Sequence, residues 1–494
     1  MCVLIGVGLY NGRKNKNSED FYLGGRKMGP FVVAMSAEAS DMSSWLLMGL
    51  PGVAYLTGLA DAFWTAAGLA IGTYLNWLIT SRRLRRYSQI VDAFTVPTFL
   101  SKRYHDKKNI LSAISAVMII IFFVPYVASG FAACGKLFNS LFGASYMTGV
   151  LLFAVIIVIY TMIGGYTSVA TNDFIQSCVM SVALISITVF GVTKAGGMGA
   201  VMDNANSLAG YFSLTALHDA ATNTATSYGP ITIISTLAWG IGYFGVPHVL
   251  VRFMSIEDEK KLVLSRRIAS IWVVIAMGVA IFIGIVGLAV VNAGGMDALP
   301  DSERVIIALT SLMSTHGFLP AILGGIILAG ILAATMSTAD SQMLVAASGV
   351  SENIVQDFLG KKLDSKQSLL VARITILAIA VIGVFLARDP NSSVFGIVSF
   401  AWAGFGGAMA APMIMSLFWK RTTLPGAIAG MVAGGAMIFI WKYAVRPLGG
   451  AFDIYELLPA FIISFVVIIV VSLLTPAPSQ EIMDEFERAK KPVD

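Results

Sequence analysis

Apolar runs separated by short polar loops recur along almost the whole chain, at 30–57, 58–80, 109–137, 145–163, 171–193, 229–250, 268–294, 318–346, 368–387, 394–418, 424–442 and 457–475. A helix needs roughly 17–25 apolar residues to cross a hydrocarbon core, and each run is long enough. The pattern predicts twelve spans. Residues 1–10 are too short to span and lack a signal-peptide cleavage pattern, so they read as the end of one further helix whose start precedes this chain. The expected class is an all-α polytopic membrane protein with about 13 transmembrane helices, the first truncated.

Three runs carry features that a lipid-facing helix avoids, and two of them look interrupted. The first carries Ala37-Glu38-Ala39-Ser40-Asp41-Met42-Ser43-Ser44-Trp45, with two carboxylates and several hydroxyls at bilayer depth. A charge there costs roughly 2.5–3.5 kcal/mol on insertion scales and marks a functional position. Non-helical backbone at that depth is tolerated only around a buried or watery cavity, the usual build of a cation site in a secondary transporter. The alternative is that Glu38 and Asp41 snorkel to a helix end or pair with a nearby Arg. The run 229–250 holds Gly240, Gly242, Gly245 and Pro247, and sits five spans after the first break. Two interrupted helices so spaced suggest two five-helix halves of opposite topology with a site between them. In the third run, Ala334, Ser337, Thr338 and Ser341 share one helical face, suited either to close helix packing or to oxygen ligation of Na⁺. Asp340 adds an acid beside them.

Composition agrees with the pattern. The 494 residues are 57% apolar and only 12% charged, about half the charge of a soluble domain. Alternate loops sort the basic residues, 27 of the 33 Lys and Arg on one side. The positive-inside rule then places the Arg82–Arg86 loop and the C-terminus in the cytoplasm, and the Asn/Ser/Thr-rich loop 194–228 outside. This distribution, rather than nucleic-acid binding, explains the net charge of +5. Cys2, Cys134 and Cys178 form no disulfide or metal spacing. No nucleophile–base pair or phosphate cradle appears, so the chain does not read as an enzyme.

Other polar or aromatic positions admit two readings. Asp173, at the expected cytoplasmic start of a helix, serves either a site or an N-cap. Tyr126 lies mid-span, and Trp239 and Tyr243 share a face of the glycine-broken helix, as packing or as walls for a small ring-shaped solute. His248 reads as structural or as a proton carrier.

The strings Ala39-Ser40-Asp41-Met42-Ser43-Ser44-Trp45-Leu46-Leu47-Met48-Gly49-Leu50-Pro51-Gly52, Ala238-Trp239-Gly240-Ile241-Gly242-Tyr243-Phe244-Gly245-Val246-Pro247-His248 and Met336-Ser337-Thr338 carry a specific likeness. With them the chain resembles the solute:sodium symporter family, most closely its sodium/proline branch, over nearly its full length. The resemblance implies a leucine-transporter-like fold with two inverted five-helix repeats. The corresponding segments are 1–29 (end of the first helix and inner loop), 30–193 (first repeat), 194–228 (external loop), 229–418 (second repeat), 419–475 (two added helices) and 476–494 (cytoplasmic tail). It also implies a sodium site from the carbonyls of Ala39, Met42 and Ala334 with the hydroxyls of Ser337 and Thr338. Asp41 and Ser43 are implied in sodium coupling, and Asp173 and Ser341 around a second cation, where Asp340 is expected too as an intramembrane acid beside Ser341. Tyr126, Trp239, Tyr243 and Pro247 are implied against the substrate, and Arg26 in gating or coupling. Glu38, Ser44 and Asp340 depart from that branch's usual residues.

The function this implies is Na⁺-coupled uptake of L-proline by alternating access in a cell membrane. Na⁺ is the co-transported ion and lipid the surroundings, with no nucleic-acid or obligate protein partner. The competing readings are a symporter of the same fold for another solute or driven by H⁺, and a transporter-like sensor or channel.

Overall fold

The computed structural model describes residues 6–7, 10, 18–163 and 165–491, so the expected end of a first helix at 1–10 lies largely outside the described residues. Among the described residues, nine helices are long and apolar enough to cross a membrane. The bent pair Pro230–Phe244 and Pro247–Ser255, inclined at 46°, makes a tenth. Of the twelve expected spans, the run at 30–57 is missing from that set because it is interrupted, as Pro30–Asp41, a π-helical turn Trp45–Gly49 and Leu50–Thr57. The other is Tyr146–Ile163, at 1.5 Å per residue about 27 Å long and slightly short of a hydrocarbon core.

Large apolar side chains on the outer faces, among them Leu151, Val155, Ile159, Ile271, Val274, Ile462 and Val466, are exposed and form a lipid-facing belt. Inside, glycines set how closely the helices approach. A Cβ on Gly72 would lie 2.2 Å from the Gly240 carbonyl, and one on Gly240 the same distance from that of Gly68. The helix Leu59–Leu75 therefore packs backbone to backbone on the 3₁₀ segment Ala238–Phe244. Gly434 likewise meets the Gly407 carbonyl, seating Leu424–Ile440 against the π-helical turn Gly406–Ala410.

Loop 194–228 holds the helix Met198–Ser207 and an antiparallel hairpin, Ala216–Asp219 with Thr224–Ser227, paired Ala216 to Ser227. This small sheet, which the hydropathy pattern did not reveal, has its turn closed by the Asp219 carboxylate, which accepts from Ala221 N (2.9 Å) and Thr222 Oγ1 (2.9 Å). Its base is pinned where Leu59 N donates to the Tyr211 carbonyl at 2.8 Å.

Candidate ion and substrate site

The first broken helix unwinds at Met42 (φ −79°, ψ 71°), whose N–H makes the last helical bond to the Glu38 carbonyl at 2.7 Å. Asp41 organises the break. Its carbonyl accepts from Trp45 Nε1 (2.9 Å) and Tyr126 Oη (3.1 Å), and its Oδ2 accepts from Tyr243 Oη at 2.6 Å. The Asp41 carboxylate thus joins the two broken helices, and its carbonyl joins the first to Ile110–Phe142. Glu38 accepts from Trp77 Nε1 at 3.2 Å. Both acids are 1% exposed, and among the described residues neither has a Lys or Arg within ion-pair distance. Snorkelling and Arg pairing are therefore both excluded for them.

The helix Phe318–Ser348 brings its hydroxyls to the same break. Ser337 Oγ lies 2.8 Å from the Ala39 carbonyl and 3.0 Å from that of Ala334, which Thr338 Oγ1 also approaches at 3.3 Å. The Ser337 hydroxyl has one proton for two carbonyls, so four oxygens from two helices converge with few protons among them. Ser43, Tyr126, Thr338 and the buried Gln342 line a narrow gap alongside. Of the expected sodium set, Ala39, Ala334, Ser337 and Thr338 are brought together, while Met42 belongs to the break itself.

The expected substrate wall is only partly one surface. Tyr126 and Tyr243 meet at Asp41, and Pro247 starts the second half of the second broken helix. Trp239 instead stands in an aromatic cluster with Trp45 (6.3 Å), Phe395 (5.3 Å), Tyr455 (5.2 Å) and Trp402 (6.4 Å), and its carbonyl accepts from Trp402 Nε1 at 2.7 Å. Gly242 has no side chain because Trp402 fills that space: a Cβ there would lie 2.1 Å from Trp402 Nε1. His248 is fully buried against the Phe123 ring (5.4 Å).

Asp173 is no N-cap. It lies two turns inside the helix Tyr166–Lys194, fully buried, and pairs with Arg252 at 3.0 Å. The same guanidinium donates to Ser341 Oγ (2.7 Å), Ser36 Oγ (3.0 Å) and the His248 carbonyl (2.7 Å), while Ser36 Oγ donates to Asp173 at 2.6 Å. Asp340 is fully buried within electrostatic reach of this group, beside Tyr160. Arg252 was hidden in the sequence because the basic-loop count included it among residues 251–267; it is in fact inside Pro247–Ser255. Its signal was its place on the polar side of a helix that starts at Pro247. Arg26 lies apart from all these groups, donating to the carbonyls of Met254 (3.0 Å) and Ala93 (2.5 Å) and to Ser88 Oγ (3.1 Å). It pins a left-handed turn, Gly24–Arg26, against the end of the second broken helix.

Comparison with known proteins agrees with this architecture. The Sodium:solute symporter family model matches residues 21–434. An osmoregulated proline transporter of Bacillus subtilis is 38% identical over 98% of this chain and 96% of its own. A sodium/proline symporter of Staphylococcus aureus is 37% identical over 99% and 94%. Among solved structures, a substrate-bound, outward-open Na⁺-coupled sialic acid symporter has TM-score 0.77 at 18% identity, covering 97% of both chains. A nucleobase-cation-symport-1 family transporter in a closed conformation has TM-score 0.56 at 12% identity, over 96% of this chain and 99% of that one. The fold is leucine-transporter-like and the chain no enzyme. By the family match over most of its length, this chain belongs to the sodium:solute symporter family.

Proposed function

We propose that the protein imports L-proline by coupling it to Na⁺ in a cell membrane, with its C-terminus cytoplasmic. Two near-full-length relatives named for proline transport support the substrate. The observation that carries the mechanism is the oxygen cluster that Ala334, Ser337 and Thr338 form with Ala39, beside the unwound segment that Asp41 ties to Tyr126 and Tyr243. Na⁺ is a hard ion that suits carbonyl and hydroxyl oxygens, and unwound helices present them. Met42 adds its carbonyl when the break closes round the ion. Ser43 and Asp41 couple the ion to the substrate, Asp41 as a positioning residue through Tyr243 rather than as a direct ligand. Asp173 and Ser341, bridged by Arg252, form the second cation-sensitive group together with the nearby Asp340.

Ordering the break orients Tyr126, Trp45 and Tyr243 together, because all three donate to Asp41. Proline then binds against Tyr126, Tyr243 and Pro247, with Trp239 moving from its aromatic cluster to cover the ring. Each ligand favours the state the other needs, so their coupling is reciprocal. Arg26 holds the inner closure. The segments 30–193 and 229–418 move as the two repeats, with 419–475 as added helices and 476–494 as the tail. The test is binding of labelled proline to purified protein over a Na⁺ titration. Proline affinity that rises with Na⁺, and Na⁺ affinity that rises with proline by the same factor, is the expected result; proline binding indifferent to Na⁺ would overturn the proposal.

A further inference from the structure

We propose that His105, Glu481 and Glu485 form a binding site for a divalent transition-metal ion of the zinc class that staples the C-terminal helix to an inner loop. The helix Gln480–Arg488 folds back onto the membrane domain with Ile482 and Phe486 buried. The Phe486 ring faces the guanidinium of Arg83 at 4.6 Å and that of Arg103 at 5.1 Å, and Arg86 donates to the Lys490 carbonyl at 3.2 Å. This docking needs no metal. It carries Glu481 and Glu485, neighbours at i and i+4 on one helix face, to His105 just past the helix Val96–Arg103.

His105 Nε2 is 3.0 Å from Glu485 Oε2, and Nδ1 is 3.8 Å from Glu481 Oε2. One ring nitrogen and one oxygen from each carboxylate lie within 4.8 Å of one another, the single His/Cys/Asp/Glu group of this kind among the described residues. Tetrahedral zinc, with bonds of about 2.0–2.2 Å, holds its ligand atoms about 3.4 Å apart, so small side-chain rotations close the set. A neutral imidazole has one donor and one acceptor nitrogen, and here each faces a carboxylate. Two carboxylates on one ring are matched either by a ring proton or by a cation that takes one ring nitrogen and an oxygen of each Glu, and the metal titration below separates the two. Glu481 is largely exposed, leaving room for water as fourth ligand.

The staple's segment borders the buried junction around Arg252. Val96 and Pro97, at the other end of the His105-bearing segment, line a cleft with Tyr22, Arg252 and Ser341. A metal that locks the tail to this segment restrains one wall of that cleft.

The test uses the purified full chain, titrated with Co²⁺ alone and then with Zn²⁺ in competition. One site per chain is expected. His105→Ala, or Glu481→Gln with Glu485→Gln, should weaken binding by at least about tenfold, since even outer-shell changes cost 10–100-fold. Phe486→Ala, which frees the tail and keeps all three ligands, should weaken it too, and His218→Ala should not. In the unmutated protein, Zn²⁺ should slow amide exchange across 480–488. No binding at micromolar metal, wild-type affinity in the His105 variant, or unchanged exchange with Zn²⁺ would each overturn the proposal and leave the cluster an ion pair alone.

Discussion

Arg252→Met tests how much the buried polar junction of the second broken helix holds together. The guanidinium makes four contacts within 3.0 Å, to Asp173, Ser341, Ser36 and the His248 carbonyl, and it is 1% exposed. Methionine preserves most of the stem but leaves the Asp173 carboxylate buried, with the Ser36 hydroxyl as its one remaining hydrogen-bond donor among the described residues. Removing one partner of a buried pair costs about 3–5 kcal/mol, chiefly because the surviving charge is uncompensated. At about 1–2 °C per kcal/mol for a chain of this size, the melting midpoint in detergent should fall by roughly 3–10 °C. Adding Asp173→Asn removes the orphaned charge, so the double variant should recover part of the loss, with a coupling energy of about 1–3 kcal/mol. A thermal melt followed by gel filtration, run on wild type, both single variants and the double, reads all four corners. An Arg252→Met protein as stable as wild type, or a double variant no better than that single one, would refute the assignment of Asp173 to this pair.

Four further outcomes are expected. Ser337→Ala and Thr338→Ala should each raise the Na⁺ concentration for half-maximal proline uptake by about tenfold, the equivalent of one polar contact to a charge; unchanged sodium dependence in both would remove them from the site. Trp239→Ala should weaken proline binding about threefold to tenfold by scintillation proximity, as loss of aromatic contact does, with folding judged separately by gel filtration. Gly242→Ala should lower the yield of folded monomer, because its methyl would collide with Trp402 at a cost of about 1–3 kcal/mol; normal yield would mean the tryptophan moves freely. Glu38→Gln keeps an acceptor for Trp77 and should leave uptake driven by Na⁺ alone, whereas loss of uptake would show that the Glu38 charge takes part.

The sequence made the fold readable through two physical signals. Apolar runs of bilayer length located the spans, and the glycines and Pro247 marked where a helix had to break or be approached closely. The polar string around Asp41 and the hydroxyl face around Ser337 were legible for the same reason: acids and clustered hydroxyls are costly inside a bilayer. What one sequence cannot display is which distant residue completes each group. Arg252 counted as a loop cation, Asp173 could be read as a site residue or a helix cap, and nothing singled out Trp402 or Tyr455, because only packing sets these residues against Ser36, Trp239 and each other. The hairpin in loop 194–228 escaped because its strands are four residues long, one exposed throughout and the other with His218 alone buried, leaving no apolar alternation to read.

The central claim is tested most directly by uptake of labelled L-proline into proteoliposomes, first with an imposed Na⁺ gradient and then with an equal H⁺ gradient. Accumulation above equilibrium with Na⁺ and none with H⁺ is the predicted result. Accumulation with H⁺ alone would contradict sodium coupling and turn attention to Glu38 and Asp340. No accumulation with either gradient, in a preparation that binds Na⁺, would contradict proline as the solute.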